Sequence, residues 1–139
     1  MRHGYRLLSH QSTPPPAAVR EMLRLPEGRC LLHLRALHSA DDAPFCLEDR
    51  WINPEAAPGI EAADFSVISP NEWLVQNTAF SGGDIAFSAR PADPAQAEAL
   101  GCRAGDALFV ITRSTWAGAA PITAVTLAYA PGHALVTAI

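Results

Sequence analysis

The sequence predicts a single domain of the α+β class, in which short helices pack on an antiparallel sheet. Two observations lead to this prediction. First, 139 residues, of which 49% are apolar, are enough to build the core of one domain. Second, strand-like apolar runs follow one another across tight turns, and the helical segments between them are short. Neighbouring strands are therefore expected to pair as hairpins rather than through long parallel crossovers.

The elements are expected in the order β-α-β-β-(α)-α-β-α-β-β, in which the bracketed helix stands for an irregular stretch after residue 53. Alternating or β-branched apolar residues predict strands at 5–10, 30–38, 45–52, 85–89, 107–115 and 122–129. Apolar residues at helical spacing, or helix-start signals, predict helices at 17–25, at 70–77 and after residue 93.

Two helix starts carry the clearest local signals. Ser69 is followed by a proline and then by Glu72, which is the S-x-x-E form of a capping box. Asp93 is followed in the same way by a proline and Gln96, and Gly101 lies where that helix should end. Both helices are therefore expected to be short and to begin at a defined residue.

The composition excludes several classes of function. The formal charge is −4, with 10 basic residues that are all arginine, so this chain alone is not expected to bind nucleic acid. No apolar run reaches the roughly 20 residues that span a bilayer, and no secretory signal is apparent. Cys30, Cys46 and Cys102 form no CxxC pair, which indicates a reducing cytoplasm. Cys30 and Cys46 lie inside apolar runs and are interpreted as core thiols. No metal, cofactor or membrane is therefore expected.

The most informative segment is the predicted hairpin that turns at residues 41–42. If those two residues form the turn, residues whose numbers add to 83 lie opposite each other. Arg35 then faces Glu48, and His33 faces Arg50, with all four side chains on one face of the sheet. This face is either a solvated surface with ordinary cross-strand ion pairs or the floor of a polar pocket.

The pocket hypothesis assigns binding roles but no catalytic ones. An arginine can donate two parallel hydrogen bonds to a carboxylate, and the helix start at Ser69 and Asn71 can supply backbone N–H groups to the same anion. Tyr129, at the end of the last strand, can donate to a ligand, although a half-buried structural tyrosine is the more frequent explanation at that position. The chain has no nucleophile motif and no glycine-rich phosphate loop, so no catalytic residue is predicted.

These segments resemble a known family. The run LEDRWINP at 47–54 resembles the effector-binding (UTRA) domain of GntR-type repressors, and within that family the HutC branch of histidine-utilisation repressors. Supporting segments are DFS at 64–66, SPNEWL at 69–74 and TRSTW at 112–116. Together they extend over nearly the whole chain in the order that the family shows.

The resemblance implies that residues 1–139 are one effector-binding and dimerisation domain with a chorismate-lyase-like fold. It also implies a homodimer, and a winged helix-turn-helix ahead of a linker near residues 1–4, through which alone operator DNA would be bound. For the histidine branch the implied effector is urocanate. Arg35 or Arg50 would bind its carboxylate, and Glu48 would accept a hydrogen bond from its imidazole ring.

Two alternatives remain open at this point. A small enzyme with a chorismate-lyase-like activity could use the same arginines and Glu48, and it would convert a candidate metabolite. A purely structural dimerisation module would instead leave the polar face solvated, and replacing Arg35 or Glu48 would not affect ligand binding.

Overall fold

A computed structural model describes residues 2–139, and six strands of that range form one antiparallel sheet. In chain order the strands are β1 (His3–Thr13), β2 (Leu31–Ala40), β3 (Ala43–Ile52), β4 (Gly82–Pro91), β5 (Ala107–Ala117) and β6 (Ala120–Tyr129). The helices are α1 (Ala17–Leu23), α2 (Pro70–Asn77) and α3 (Pro94–Leu100), with single 3-10 turns at Pro54–Ala56 and Ile60–Ala62. The strands lie in the order β1-β2-β3-β6-β5-β4, so β1 and β4 are the edges. The α+β prediction is confirmed.

The sheet has two covered faces, each with its own part of the core. Helices α1 and α3 pack on the face that carries Leu47 and Trp51, which is called the α1/α3 face below. Helix α2 and the segment 53–69 cover the face that carries Leu34 and Ile52, which is called the α2 face. Because helices lie on both sides, neither face of the central strands is simply solvated.

Two boundaries differ from the predictions at the start of the chain. The first strand is longer than 5–10, because His3 and Gly4 already pair with β2. These two residues therefore belong to the sheet and not to a linker, while Met1 of the expected linker lies outside the described residues. Helix α1 is shorter than 17–25, because Arg24 adopts a left-handed conformation with φ of 53° and ends it.

The helix starts agree with their sequence signals to different degrees. At α3, the Asp93 carboxylate accepts a hydrogen bond from the Gln96 backbone N–H at 2.7 Å, and the Gln96 side chain accepts one from the Asp93 N–H at 3.0 Å. At α2, the Ser69 hydroxyl accepts from the Glu72 N–H at 3.3 Å, but the reciprocal bond is not formed. The complete capping box is therefore found only at α3.

Replacing Asp93 should lower the stability of the protein, because Asp93 caps the N-terminus of α3. We expect Asp93→Ala to lower the free energy of unfolding by about 1 kcal/mol, because the Gln96 N–H loses its acceptor. Urea denaturation followed by circular dichroism measures this change. The matched control is Glu98→Ala, an exposed position within the same helix. An equal loss of stability in both variants would contradict the capping contribution.

The register of the β2–β3 hairpin corrects the prediction. The turn is at Asp41 and Asp42, both with positive φ, as expected. A bulge between residues 38 and 39 then shifts the pairing by one residue, so that Arg35 lies opposite Asp49 and not opposite Glu48. A one-residue shift moves a strand's side chains to the other face of its partner, because the side-chain period in a strand is two. The predicted four-residue cluster on one face was therefore wrong.

Candidate functional site

A cleft of about 240 Å³ opens on the α2 face above strands β3, β6 and β5. Its floor follows from the register, in which Arg50 lies opposite Val125 and Val125 lies opposite Arg113. Four residues further along β3 and β6, Cys46 lies opposite Tyr129. A strand rises about 3.3 Å per residue, so the row that holds Arg50 and Arg113 and the row that holds Cys46 and Tyr129 are roughly 13 Å apart. The cleft is lined by His38, Phe45, Cys46, Glu48, Arg50, Asn71, Arg113, Leu127 and Tyr129.

The floor of the cleft holds a buried charge network centred on Glu48. One carboxylate oxygen accepts from Nε of Arg50 at 2.7 Å, and the other accepts from Nε2 of His38 at 2.8 Å. Glu48 is 3% exposed and Arg50 is 2% exposed, so the pair is screened from solvent. Nη1 of Arg50 also donates to the Thr123 hydroxyl at 3.3 Å, and that hydroxyl donates to the backbone carbonyl of Trp51. The network therefore fixes the Arg50 guanidinium against β6.

The protonation states in the network follow from burial and from its partners. Burial by itself would raise the pKa of Glu48, but the hydrogen bond from His38 and the charge of Arg50 outweigh it and hold the pKa at about 2. Burial, reinforced by the Glu48 carboxylate, raises the pKa of the Cys46 thiol to about 12. At neutral pH Glu48 is thus ionised and Cys46 is a neutral thiol, which is not a nucleophile.

The charges of the cleft favour an anion. Arg50 and Arg113 contribute two positive charges and Glu48 contributes one negative charge, so these three side chains leave one net positive charge. Arg113 is half-buried, and its Nη2 donates to the Asn71 side-chain oxygen at 3.2 Å. Asn71 lies in the first turn of α2, so Arg113 links the sheet to that helix.

The other end of the cleft is aromatic. The Tyr129 ring stacks on His133, with ring centroids 4.2 Å apart and an interplanar angle of 16°. Phe45 lies beside His38 at a centroid distance of 6.3 Å. Burial raises the pKa of the Tyr129 hydroxyl above its ordinary value, so this group remains a hydrogen-bond donor. A flat ring next to a carboxylate would therefore meet matching surfaces at the two ends of the cleft.

The structure brings together four of the seven predicted site residues. Glu48, Arg50, Asn71 and Tyr129 line this cleft. Ser69 does not line it, and its hydroxyl caps α2. His33 and Arg35 lie on the α1/α3 face because of the hairpin bulge.

Sequence analysis missed His38 and Arg113, which also line the cleft. Arg113 lies inside the TRSTW segment, and that segment was the available signal for it. His38 lies on the Glu48 face only because of the bulge between residues 38 and 39, which no local pattern indicates.

A second cleft of about 320 Å³ lies on the α1/α3 face and contains Arg35. Its Nε is 3.8 Å from an Asp49 oxygen, and Nε2 of His33 is 2.8 Å from the other Asp49 oxygen. The His33 ring also stacks on Trp51 at 4.0 Å. Since Asp49 and Asp93 both line this cleft against the single Arg35, its charged side chains favour a cation or a neutral group. The cleft on the α2 face is thus the better candidate for a carboxylate.

Among residues 2–139, no three His, Cys, Asp or Glu side chains come together in a way that could hold a metal ion. Within the same residues, no helix is both long enough and apolar enough to cross a membrane.

Comparison with known proteins identifies relatives of this chain. The family model for the UTRA domain matches residues 1–135. Histidine utilization repressors from Pseudomonas aeruginosa and Pseudomonas putida are 32% and 31% identical to it, over 76% and 79% of the chain. The chain spans 42% and 44% of the length of these two relatives.

Solved structures share the fold. The C-terminal domain of the histidine utilization repressor from Pseudomonas syringae superimposes with a TM-score of 0.90 at 28% identity, and the match covers 99% of both chains. A GntR-family transcriptional regulator from Enterococcus faecalis superimposes with a TM-score of 0.76 at 20% identity, over 99% of this chain and 98% of that one. At that identity the second match shows the fold alone.

Proposed function

Because the chain belongs to the UTRA domain family, we propose that it is the effector-binding domain of a GntR-type, HutC-like transcriptional repressor that acts in the cytoplasm. The similarity to histidine utilization repressors over three quarters of the chain supports the regulatory role. Since the chain spans only 42% and 44% of the length of these relatives, the proposal places operator binding in a winged-helix domain outside residues 1–139. DNA would then be a partner of the longer protein only.

The proposed effector is urocanate or a similar small carboxylate attached to a flat ring. The observation that carries this proposal is the charge of the α2-face cleft, in which Arg50 and Arg113 share one row and only Glu48 opposes them. A guanidinium can bind a carboxylate in a fixed geometry, through two parallel hydrogen bonds. The aromatic end at Phe45 and Tyr129 suits the ring of such a ligand.

Each side chain in the cleft has a distinct role in the proposal. Arg113 binds the carboxylate directly, since it is half-buried and lies at the α2 rim. Arg50 contributes positive charge from the floor. Glu48 orients Arg50 and His38, and both of its oxygens are already used within the chain. The ring N–H of the ligand is therefore assigned to His38 or Tyr129 and not to Glu48.

Regulation would follow from the position of the ligand between the sheet and α2. A ligand held by Arg113 replaces or extends the Arg113–Asn71 contact and so favours one position of α2 over another. The free energy by which the ligand shifts a dimer between two arrangements equals the difference between its binding free energies for those arrangements. The proposal accordingly includes a homodimer whose arrangement changes with the effector.

Calorimetric titration of the 139-residue chain with urocanate tests the proposal, with histidine and imidazole propionate as comparison ligands. We expect saturable binding of urocanate. Arg113→Ala should weaken it by about 10- to 100-fold, because a hydrogen-bonded charge contributes about 1.5–3 kcal/mol. Arg35→Ala is the matched control, because it removes an arginine from the opposite face. It should leave binding unchanged.

Other outcomes would contradict specific parts of the proposal. Loss of binding in Arg35→Ala but not in Arg113→Ala would move the site to the α1/α3 face. No heat with any of the three ligands would remove the urocanate assignment. Chromatographic recovery of converted ligand after incubation would instead favour the chorismate-lyase-like enzyme.

A further inference from the structure

A row of polar side chains crosses the α1/α3 face of the sheet in the gap between its two helices. Arg35 lies opposite Asp49, and Asp49 lies opposite Thr126. Thr126 in turn lies opposite Thr112, so these side chains share one face across β2, β3, β6 and β5. The apolar clusters under α1 and α3 lie on either side of the row. Arg35, Asp49 and Thr126 line the cleft of about 320 Å³ on this face.

The charged pair in this row is open to a further partner. Nε of Arg35 is 3.8 Å from the Asp49 oxygen that faces it, which is too long for a hydrogen bond. Within residues 2–139 Arg35 makes no side-chain hydrogen bond, so all its guanidinium N–H groups remain available. The Asp49 oxygen that faces Arg35 accepts no hydrogen bond in the same range, and the Thr126 hydroxyl has no partner there either. The row therefore offers unused donors and acceptors side by side.

Contacts of His33 hold the Asp49 carboxylate in place. Nε2 of His33 is 2.8 Å from the second Asp49 oxygen. The His33 ring stacks on Trp51 with ring centroids 4.0 Å apart and an interplanar angle of 10°. Trp51 is 8% exposed, so this stack is anchored in the core. A carboxylate that is already oriented loses little conformational freedom when a ligand binds to it.

The remaining walls and charges of the cleft restrict the class of ligand. Its walls are apolar side chains from α1 and from the sheet, namely Val19, Met22, Leu47, Ala124 and Ala128. Asp93 lies at the α3 side, so the two aspartates outnumber Arg35 and a simple anion is disfavoured. A matching ligand has an ammonium group, a carboxylate close to it and an apolar body. An α-amino acid with an aliphatic side chain has all three, because both of its charged groups are attached to one carbon atom.

We propose that this cleft is a second ligand site of the chain and that it binds an aliphatic α-amino acid of about the size of leucine. Arg35 donates two parallel hydrogen bonds to the carboxylate. Asp49 and Thr126 are neighbours in the row and accept hydrogen bonds from the ammonium group. Met22 and the other apolar walls contact the side chain of the ligand. The site lies on the opposite face of the sheet from the cleft proposed for the effector, and it is independent of that cleft.

Two-dimensional amide NMR of the isotope-labelled 139-residue chain, titrated with L-leucine up to about 10 mM, tests the site. We expect saturable shifts of the β2 and β3 amides near Arg35 and Asp49, with a Kd of about 1 mM or below. Isocaproate has the same skeleton without the ammonium group, and isoamylamine has it without the carboxylate. Each should bind at least about tenfold more weakly than L-leucine, because each leaves one charge of the pair unused.

Substitutions in the row test the assigned contacts. Arg35→Met and Asp49→Asn should each weaken L-leucine binding by at least about tenfold, because each removes a charged hydrogen-bonding partner. Thr126→Val keeps the shape of the side chain and should weaken binding by about threefold. Arg103→Met, at an exposed arginine after α3, is the matched control and should leave binding unchanged. Circular dichroism melts of each variant separate loss of binding from loss of folding.

Four results would overturn the proposal. The first is the absence of saturable shifts with L-leucine up to about 10 mM, and the second is equal affinity for L-leucine and both analogues. The third is a set of shifts confined to residues of the α2-face cleft, such as Arg113 and Tyr129. The fourth is displacement of bound L-leucine by urocanate, which would place both ligands in one cleft. The two analogues test the same contacts in the wild-type chain, so the proposal remains testable even where a variant does not fold.

Discussion

Arg50→Met should lower the free energy of unfolding by about 3–5 kcal/mol, because it breaks a buried ion pair and leaves one charge without its partner. The substitution keeps the volume of the side chain but removes the charge that faces Glu48. Glu48 would then be a buried carboxylate that has lost both the 2.7 Å hydrogen bond from Arg50 and the positive charge of that side chain. Urea denaturation at pH 7 measures the loss.

Two further variants show whether the loss comes from the unpaired charge. E48Q/R50M removes both charges and should recover a large part of the stability, because the remaining amide no longer carries a buried charge. Arg35→Met is the matched control, since its ion pair with Asp49 is partly exposed and 3.8 Å long. Exposed pairs of that kind contribute about 0–1 kcal/mol. An Arg50→Met variant no less stable than Arg35→Met would contradict the role of the buried pair.

The protein should lose about 3 kcal/mol of stability through Glu48 as the pH falls from 4.5 to 2. Folding lowers the pKa of this carboxyl from its ordinary 4.5 to about 2, and each pKa unit corresponds to about 1.36 kcal/mol. A group whose pKa is lower in the folded state stabilises the fold at pH values above its unfolded pKa. That contribution is fully present above pH 4.5 and is lost as the pH falls through the folded value.

Glu48→Gln provides the test, because the amide does not titrate. Urea denaturation of wild type and Glu48→Gln between pH 2 and pH 6 should show a shallower pH dependence for the variant in the acid range. Glu98→Gln, at an exposed position of α3, is the control and should retain the wild-type slope. Equal slopes for wild type and Glu48→Gln below pH 4.5 would show that this carboxyl is not the acid-sensitive group.

The sequence by itself determined the elements whose signals are local. Helix α2 occupies the predicted residues 70–77, because a capping serine and a proline define its start. Helix α3 follows Asp93 and ends at Gly101 for the same kind of reason. The hairpin turn at residues 41–42 was also predictable, since aspartate tolerates the left-handed backbone that this turn needs. The family was recognisable from the LEDRWINP run, and the match over residues 1–135 confirms it.

Only the tertiary structure decided which polar residues share a cleft. A single bulge after His38 placed Arg35 and Glu48 on opposite faces, although the turn beside it was predicted correctly. Arg113 joins Arg50 only through β6, which lies between their strands in the sheet but follows both in the chain. Capping and turn formation depend on residues within about four positions of each other. Register and strand order depend on packing between distant segments, which no local pattern records.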